Sequence, residues 1–312
     1  MLLPAGRMPA PARSFILALA LTGAAAPPAG AQDAAWPSRP VTILGGFPNG
    51  AGTDIYARRL AEPLGRALGV PVVVDNRTGA AGIVGADAVA KARPDGATLG
   101  VIGMTTLCAY KTLYNRLPFD PDKDFAPVSQ ISAGTVVCCV NKDAQRKNGW
   151  TDFRRLVAWM KENPDALRFG TAGVGTTAHF TMAAVQKNTG AKALMVTYRG
   201  GAPAIQGLLG GEVPMVLVVA GEVAEFQRSG QVRILAVSSP ERMPRLPDLP
   251  TFAELGQPDL TAEEWFGVLL PAGAPAPVVE GLHRAIVDAA AAPELQEALA
   301  RLEYRAATSS PR

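Results

Sequence analysis

Val41-Thr42-Ile43-Leu44 is followed by Phe47-Pro48-Asn49-Gly50-Ala51-Gly52-Thr53-Asp54 and then by leucines at 60, 64 and 68. The first four residues form an apolar run that reads as a buried strand. The three leucines recur on one helical face. Between them lie two glycines and two cap-type residues, Thr53 and Asp54. Strand, glycine loop and helix start make one α/β unit. They also make an anion site, because the first N–H groups of a helix have no internal partner and its dipole favours negative charge. Glycine lets the backbone approach a ligand and take positive φ. The loop therefore predicts capture of a carboxylate or phosphate. An ordinary strand-to-helix turn has the same composition, so the loop alone leaves both readings open.

The same rhythm continues along the chain. Pro71-Val72-Val73-Val74-Asp75 reads as a strand, followed by the glycine-rich Gly79–Gly85 loop and a helix over 86–92. Further strands are expected at Thr98–Gly103, Arg168–Ala172, Ala193–Thr197, Val213–Ala220 and Val232–Ser238. Helices are expected at Phe153–Asn163, Pro203–Leu209, Pro277–Ala291 and Pro293–Leu302. Alternation of this kind argues for an α/β fold with mostly parallel sheets. Two proline-rich stretches interrupt it, Leu117–Val128 and Ser239–Pro250, and both read as surface loops. They would flank paired crossings between two lobes if the chain leaves one lobe near Ile131 and returns near Ser239. The expected domains are therefore residues 32–130 plus 240–312 as one lobe and 131–239 as the other.

Residues 1–31 read as a secretory leader. Arg7 and Arg13 precede the apolar run from Phe15 to Ala26, and Ala29-Gly30-Ala31 supplies small residues for cleavage before Gln32. No later run reaches the ~18 apolar residues of a membrane span. The expected location is the periplasm. The leader carries two of the 30 basic residues and none of the 27 acids, leaving a net charge of +1 for the rest. So small a charge gives no reason to expect nucleic acid as a partner.

The three cysteines, Cys108, Cys138 and Cys139, lack zinc-site spacing. Neighbours on a strand face opposite ways, so Cys138 and Cys139 are poorly placed to bond each other. They read as buried free thiols, and a link from Cys108 to either stays open. The two histidines lack an acidic cluster for a metal, and no cofactor is implied. His179 reads as a structural hydrogen-bonder and His283 as a surface residue. Neither a Gly-x-Ser-x-Gly elbow nor a nucleotide fingerprint occurs. An exported hydrolase using His179 and a threonine is the competing class, but no base-orienting carboxylate lies near His179 in sequence.

Three more junctions repeat the first. Gly170-Thr171-Ala172-Gly173-Val174-Gly175-Thr176-Thr177-Ala178-His179 ends a strand and opens a helix near Thr177. Thr171, Thr176 and Thr177 there can donate O–H beside free helix N–H groups. Tyr198-Arg199-Gly200-Gly201-Ala202-Pro203 is a third junction and Met104-Thr105-Thr106 a weaker fourth. Ligands of α/β sheets bind at the C-terminal ends of strands. Two lobes facing each other with such loops make a clamshell for a small anion. Asp54 is an unusual neighbour for an anion and reads as a helix-start residue. Arg199 reads either as a carboxylate partner or as a solvated or interlobe residue.

These residues carry a resemblance. Trp36-Pro37-Ser38-Arg39-Pro40-Val41, the Phe47–Asp54 loop, Val73–Gly82, Lys91-Ala92-Arg93-Pro94-Asp95-Gly96 and Phe119–Pro127 are similar to the Bug-type solute-binding receptors of tripartite tricarboxylate transporters. The Gly170–His179 loop, Tyr198-Arg199-Gly200, Leu209–Val213 and Trp265-Phe266-Gly267 continue the similarity through the rest of the chain. The resemblance implies a two-lobe, type II-like periplasmic binding fold without catalysis. The implied receptor captures a small organic carboxylate and, as a monomer, delivers it to membrane transporter subunits or, in some members, to a sensor. The implied ligand-binding residues are Pro48, Asn49, Gly50, Ala51, Gly52 and Thr53, with Thr105, Thr171, Gly175, Thr176, Thr177, Tyr198 and Arg199. Three departures stand out. Asn49 and Ala51 replace residues that are usually small or glycine. Val213–Ala220, where the family commonly has an Asp, holds no acid, and the next one is Glu222, which disfavours a ligand with an ammonium group. The chain ends at Arg312, where the family usually adds a helix.

Overall fold

The computed structural model describes residues 36–301 and 303–311; the leader read at residues 1–31 lies outside them. The strands are β1 (Val41–Gly45), β2 (Val72–Asn76), β3 (Thr98–Gly103), β4 (Phe125–Asn141), β5 (Arg168–Thr171), β6 (Leu194–Thr197), β7 (Met215–Val219), β8 (Val232–Val237), β9 (Glu263–Pro271) and β10 (Tyr304–Ala306). The helices are α1 (Gly52–Leu68), α2 (Ile83–Ala90), α3 (Met104–Cys108), α4 (Tyr110–Leu113), α5 (Lys142–Asn148), α6 (Phe153–Glu162), α7 (Thr177–Thr189), α8 (Gly201–Leu209), α9 (Ala220–Arg228), α10 (Ala276–Ala291) and α11 (Pro293–Arg301). No helix among the described residues is long and apolar enough to cross a membrane.

Two sheets share one long strand. In the first, β1 pairs parallel with β2 and β3, and β9 lies antiparallel between β3 and β4. In the second, β5 pairs parallel with β6 and β7, and β7 and β8 lie antiparallel to β4. Strand β4 serves the first sheet from Phe125 to Thr135 and the second from Val136 to Asn141. This is a two-lobe α/β binding-protein fold. Where β4 changes sheets, Ser238 ties three chain segments together. Its Oγ accepts from the Val136 N–H at 3.0 Å and donates to the Ala262 carbonyl at 2.5 Å.

Periodicity explains the packing. Leu60 and Leu64 of α1 are fully buried with Leu282 and Ile286 of α10 in one core. The shared strand faces two other cores, with Cys138 in one and Cys139 in the other, as opposite faces of a strand require. All three cysteines are free. Leu117–Val128, read as a loop, is strand from Phe125 onward; its three prolines masked the apolar start of β4. His283, read as a surface residue, is half-buried instead, because α10 packs that face toward the core.

Glycines set the approach of α2 to the first loop. A Cβ on Gly85 would stand 2.5 Å from the Gly46 Cα and 2.9 Å from its N. Gly82, at φ +92°, lies under the Phe47 ring, with a Cβ there only 2.9 Å from the ring edge. Backbone packed on backbone holds the loop that carries Phe47 to Thr53.

Candidate functional site

Between the two sheets lies a cavity of about 60 Å³. A single water needs only about 10–15 Å³ by the same kind of measure, so the space holds a group of several atoms. Its walls come from the start of α1 (Ala51, Gly52, Thr53), from Thr105 and Thr106, from Thr176 and Thr177, and from Glu222, Glu264 and Phe266.

Helix α1 starts at Gly52, with Ala51 as its N-cap. Asp54 lies in the first turn and turns away from the cavity. Its Oδ2 accepts from the Gly50 N–H at 2.8 Å, and its Oδ1 meets Arg58 Nε at 2.8 Å and Asn76 Nδ2 at 2.5 Å. That is the helix-start role expected of it. Thr53, expected as a cap, is buried in the cavity wall with its hydroxyl unpartnered.

The two helix starts that the sequence marks as anion sites each hold a carboxylate of the chain itself. The Gly52 N–H donates to Glu222 Oε1 at 2.7 Å. The Thr177 hydroxyl donates to Glu264 Oε2. Gly52 opens α1 and Glu264 lies on β9, both in the lobe of the first sheet, whereas Thr177 opens α7 and Glu222 lies on α9, both in the lobe of the second. The two lobes thus exchange carboxylates across the cleft.

Burial pushes both carboxyls up to about 7 from the ordinary 4.5. For Glu222, the amides of Gly52 and Val219 pull partly the other way, while the charge of Glu264 adds to the rise. For Glu264, the Thr177 hydroxyl is the opposing influence. Tyr304 is buried beside them, its phenol held well up by burial and then by the charges of Glu222 and Glu264. Its hydroxyl has no hydrogen-bond partner. A Cβ on Gly52 would stand 2.6 Å from that hydroxyl and 3.0 Å from the Phe266 ring. Gly52→Val is therefore expected to cost about 1–3 kcal/mol of stability by overpacking, to break the bond to Glu222, and to weaken ligand binding at least tenfold. Unchanged calorimetric affinity in the folded variant would take this loop out of the site.

The second loop is shaped by its own side chains. Thr176 caps α7, its Oγ1 accepting from the His179 N–H at 3.3 Å and donating to the Gly173 carbonyl at 3.0 Å. Thr171 is fully buried, with its Oγ1 3.0 Å from that of Thr176. The Gly175 N–H, at φ +82°, donates to His179 Nδ1 at 3.1 Å. His179 thus acts as a structural acceptor, and burial lowers its pKa.

Of the residues singled out in the sequence, Ala51, Gly52, Thr53, Thr105, Thr176 and Thr177 line one cavity. Thr171 and Gly175 stand behind it. Pro48 and Gly50 meet the other lobe, where a Cβ on Gly200 would be 2.8 Å from the Pro48 ring and a Cβ on Gly50 3.6 Å from Ala202. Asn49 Oδ1 accepts from Asn76 at 2.9 Å and from Arg58 at 3.2 Å. Tyr198 packs toward Gly170 of β5, a Cβ there being 3.0 Å from its ring. Arg199 is exposed and does not line the cavity.

Sequence reasoning missed Glu264, Tyr304 and the place of Glu222. Glu222 sits just past β7, at another strand-to-helix junction, and that signal was available. In Glu263-Glu264 one side chain of the pair must face inward on a strand. The lack of an acid in Val213–Ala220, read as disfavouring an ammonium, does not leave the cavity without acids, since Glu222 and Glu264 both wall it.

Known proteins share this architecture. Residues 56–310 match the tripartite tricarboxylate transporter family receptor. Protein BugT of Bordetella pertussis is 35% identical over 283 residues, 90% of this chain and 85% of that one. The structure of Rpa4515 from R. palustris with adipate superposes with a TM-score of 0.84 at 29% identity, covering 88% and 91% of the two chains. MatC from Rhodopseudomonas palustris with bound malate gives 0.81 at 29%, covering 86% and 90%. A two-lobe fold with a walled cavity at facing helix starts, and similarity along nearly the whole described chain, place this protein among the Bug-type receptors of the tripartite tricarboxylate transporter family, which are solute-binding proteins and not enzymes.

Proposed function

We propose that the protein is a periplasmic receptor that captures a small organic carboxylate between its lobes, residues 32–130 plus 240–312 and residues 131–239. It works as a monomer and delivers the solute to the membrane subunits of a tripartite tricarboxylate-type transporter. The observation that carries this reading is the cavity at the starts of α1 and α7, whose walls bring six of the predicted ligand residues together. Thr53 offers a hydroxyl with no partner in the protein. The N–H groups of the first helical turn lack intrahelical acceptors, and the dipole of α1 favours an anion there. Malate and adipate in two relatives support an organic acid as solute. Ala51, Gly52, Thr53, Thr105, Thr176 and Thr177 would touch the ligand. Pro48, Asn49, Gly50, Thr171, Gly175 and Tyr198 would hold the walls, with Arg199 at the rim.

A thermal-shift panel of organic acids on ligand-stripped protein tests the reading. An acid at ~100 times its dissociation constant should add about 2.7 kcal/mol to stability. No shift with any carboxylate-bearing solute, in a folded sample, would overturn the receptor's assignment to carboxylates.

A further inference from the structure

The acids of the cavity have no basic counterpart. Among the described residues lining it there is no lysine, arginine or histidine. A carboxylate offers about four acceptor sites. Glu264 uses one, for the Thr177 hydroxyl, and Glu222 takes the amides of Gly52 and Val219. Both therefore keep acceptor capacity at the cavity. On the same wall, Thr53 is only 3% exposed and its hydroxyl is buried and unpartnered, a polar group of the kind that a ligand satisfies. An anionic group between the two glutamates would meet like charge in a medium that screens little. An ammonium brings three donors and a positive charge, and no acceptor to compete.

We infer that the solute carries a protonated amine beside its carboxylate, held between Glu222 of one lobe and Glu264 of the other, with its acid end toward Thr53. The inference rests on the carboxylate reading above and narrows it to amino acids or similar zwitterions. It also makes the two glutamates the residues that set specificity. A plain dicarboxylate of equal length supplies neither the donors nor the charge that they require. Because the glutamates come from opposite lobes, one ammonium between them would join both halves of the closed cleft.

Calorimetry at pH 7.5 on the purified, ligand-stripped chain tests this with matched solutes: succinate against aspartate, glutarate against glutamate, and the simple amines ethanolamine and putrescine. In at least one pair the amino acid should bind tenfold or more tighter than the diacid. Glu222→Gln and Glu264→Gln should each cut that preference at least tenfold. Glutamine keeps an acceptor for Gly52 or Thr177, and a retained cooperative melt shows that each variant folds. Diacids that bind as tightly as their amino partners, or a preference unmoved in both variants, would overturn the inference and leave the carboxylate reading standing. Binding of the amines alone would keep the acidic subsite and overturn the carboxylate reading. A folded protein that binds none of these solutes overturns the inference, while the carboxylate reading is then decided by the wider organic-acid panel.

Discussion

The ligand-free protein is expected to become less stable as pH rises from about 4.5 to about 7, opposite to the usual behaviour of carboxylates. Glu222 and Glu264 have carboxyls pushed up to about 7 by burial, against 4.5 for the ordinary group. Between those values the folded state holds more protons than the unfolded state, so stability falls with pH. The contribution is complete below about 4.5 and gone above about 7. Each carboxyl contributes up to about 3 kcal/mol over that window, and the two titrate as a coupled pair. Tyr304 faces both and stays protonated throughout, since its phenol is shifted upward. Asp54, on the same helix as Gly52, is turned onto Arg58 and Asn76. His179 opposes the trend, because burial lowers its pKa and its charging at low pH favours the unfolded chain. One half-buried imidazole against two buried carboxyls leaves the carboxyls dominant. Urea unfolding at half-unit pH steps checks the slope, and the Glu222→Gln, Glu264→Gln double variant should flatten it. A profile that rises across this range in the unmodified chain would sink the account.

Gly85→Val is expected to be the most damaging single change near the first loop, at about 3 kcal/mol. The Cβ would press on the Gly46 backbone, which cannot rotate out of the way as a side chain can. The displaced segment runs straight into Phe47 and the loop at Ala51 to Thr53, so ligand affinity should fall with stability. Gly149→Asn is the contrasting change. Nothing lies within 4 Å of a Cβ there, and asparagine tolerates its φ of +68°. Its cost should stay below about 1 kcal/mol. Equal denaturation midpoints for the two variants would show that the contact between α2 and the first loop does not matter.

The regular elements were legible because each has a local cause. The leucines of α1, the apolar runs of β1, β3 and β7, and the threonine cap of α7 act within a few residues of chain. The glycine loops were legible as helix starts for the same reason. The filling of those helix starts was not legible. Glu222 stands 170 residues from Gly52, and Glu264 stands 87 from Thr177. Such partnerships depend on how two lobes close, and no periodicity encodes that. Thr53 misled for a related reason. A cap residue normally bonds its own helix, but Ala51 already occupies the cap position and leaves Thr53 inside the first turn. The start of β4 was hidden because prolines and acids in Leu117–Val128 outweighed the few apolar residues that end that stretch.

The shared strand also governs the order in which the molecule can assemble. Strands β4 to β8 follow one another in the chain and complete the second sheet from nearby residues. The first sheet cannot close until β9 slots between β3 and β4 and β10 joins β4, which requires the far end of the chain. Contacts so distant in sequence form slowly, because loop closure must come before any pairing rewards it. The middle of the chain should therefore gain protection from hydrogen exchange first. The β1–β3 half should wait, with its β3 edge open, until β9 arrives near the end of the polypeptide. During that interval the unfilled place beside β3 is the part of the molecule most exposed to mispairing with another chain.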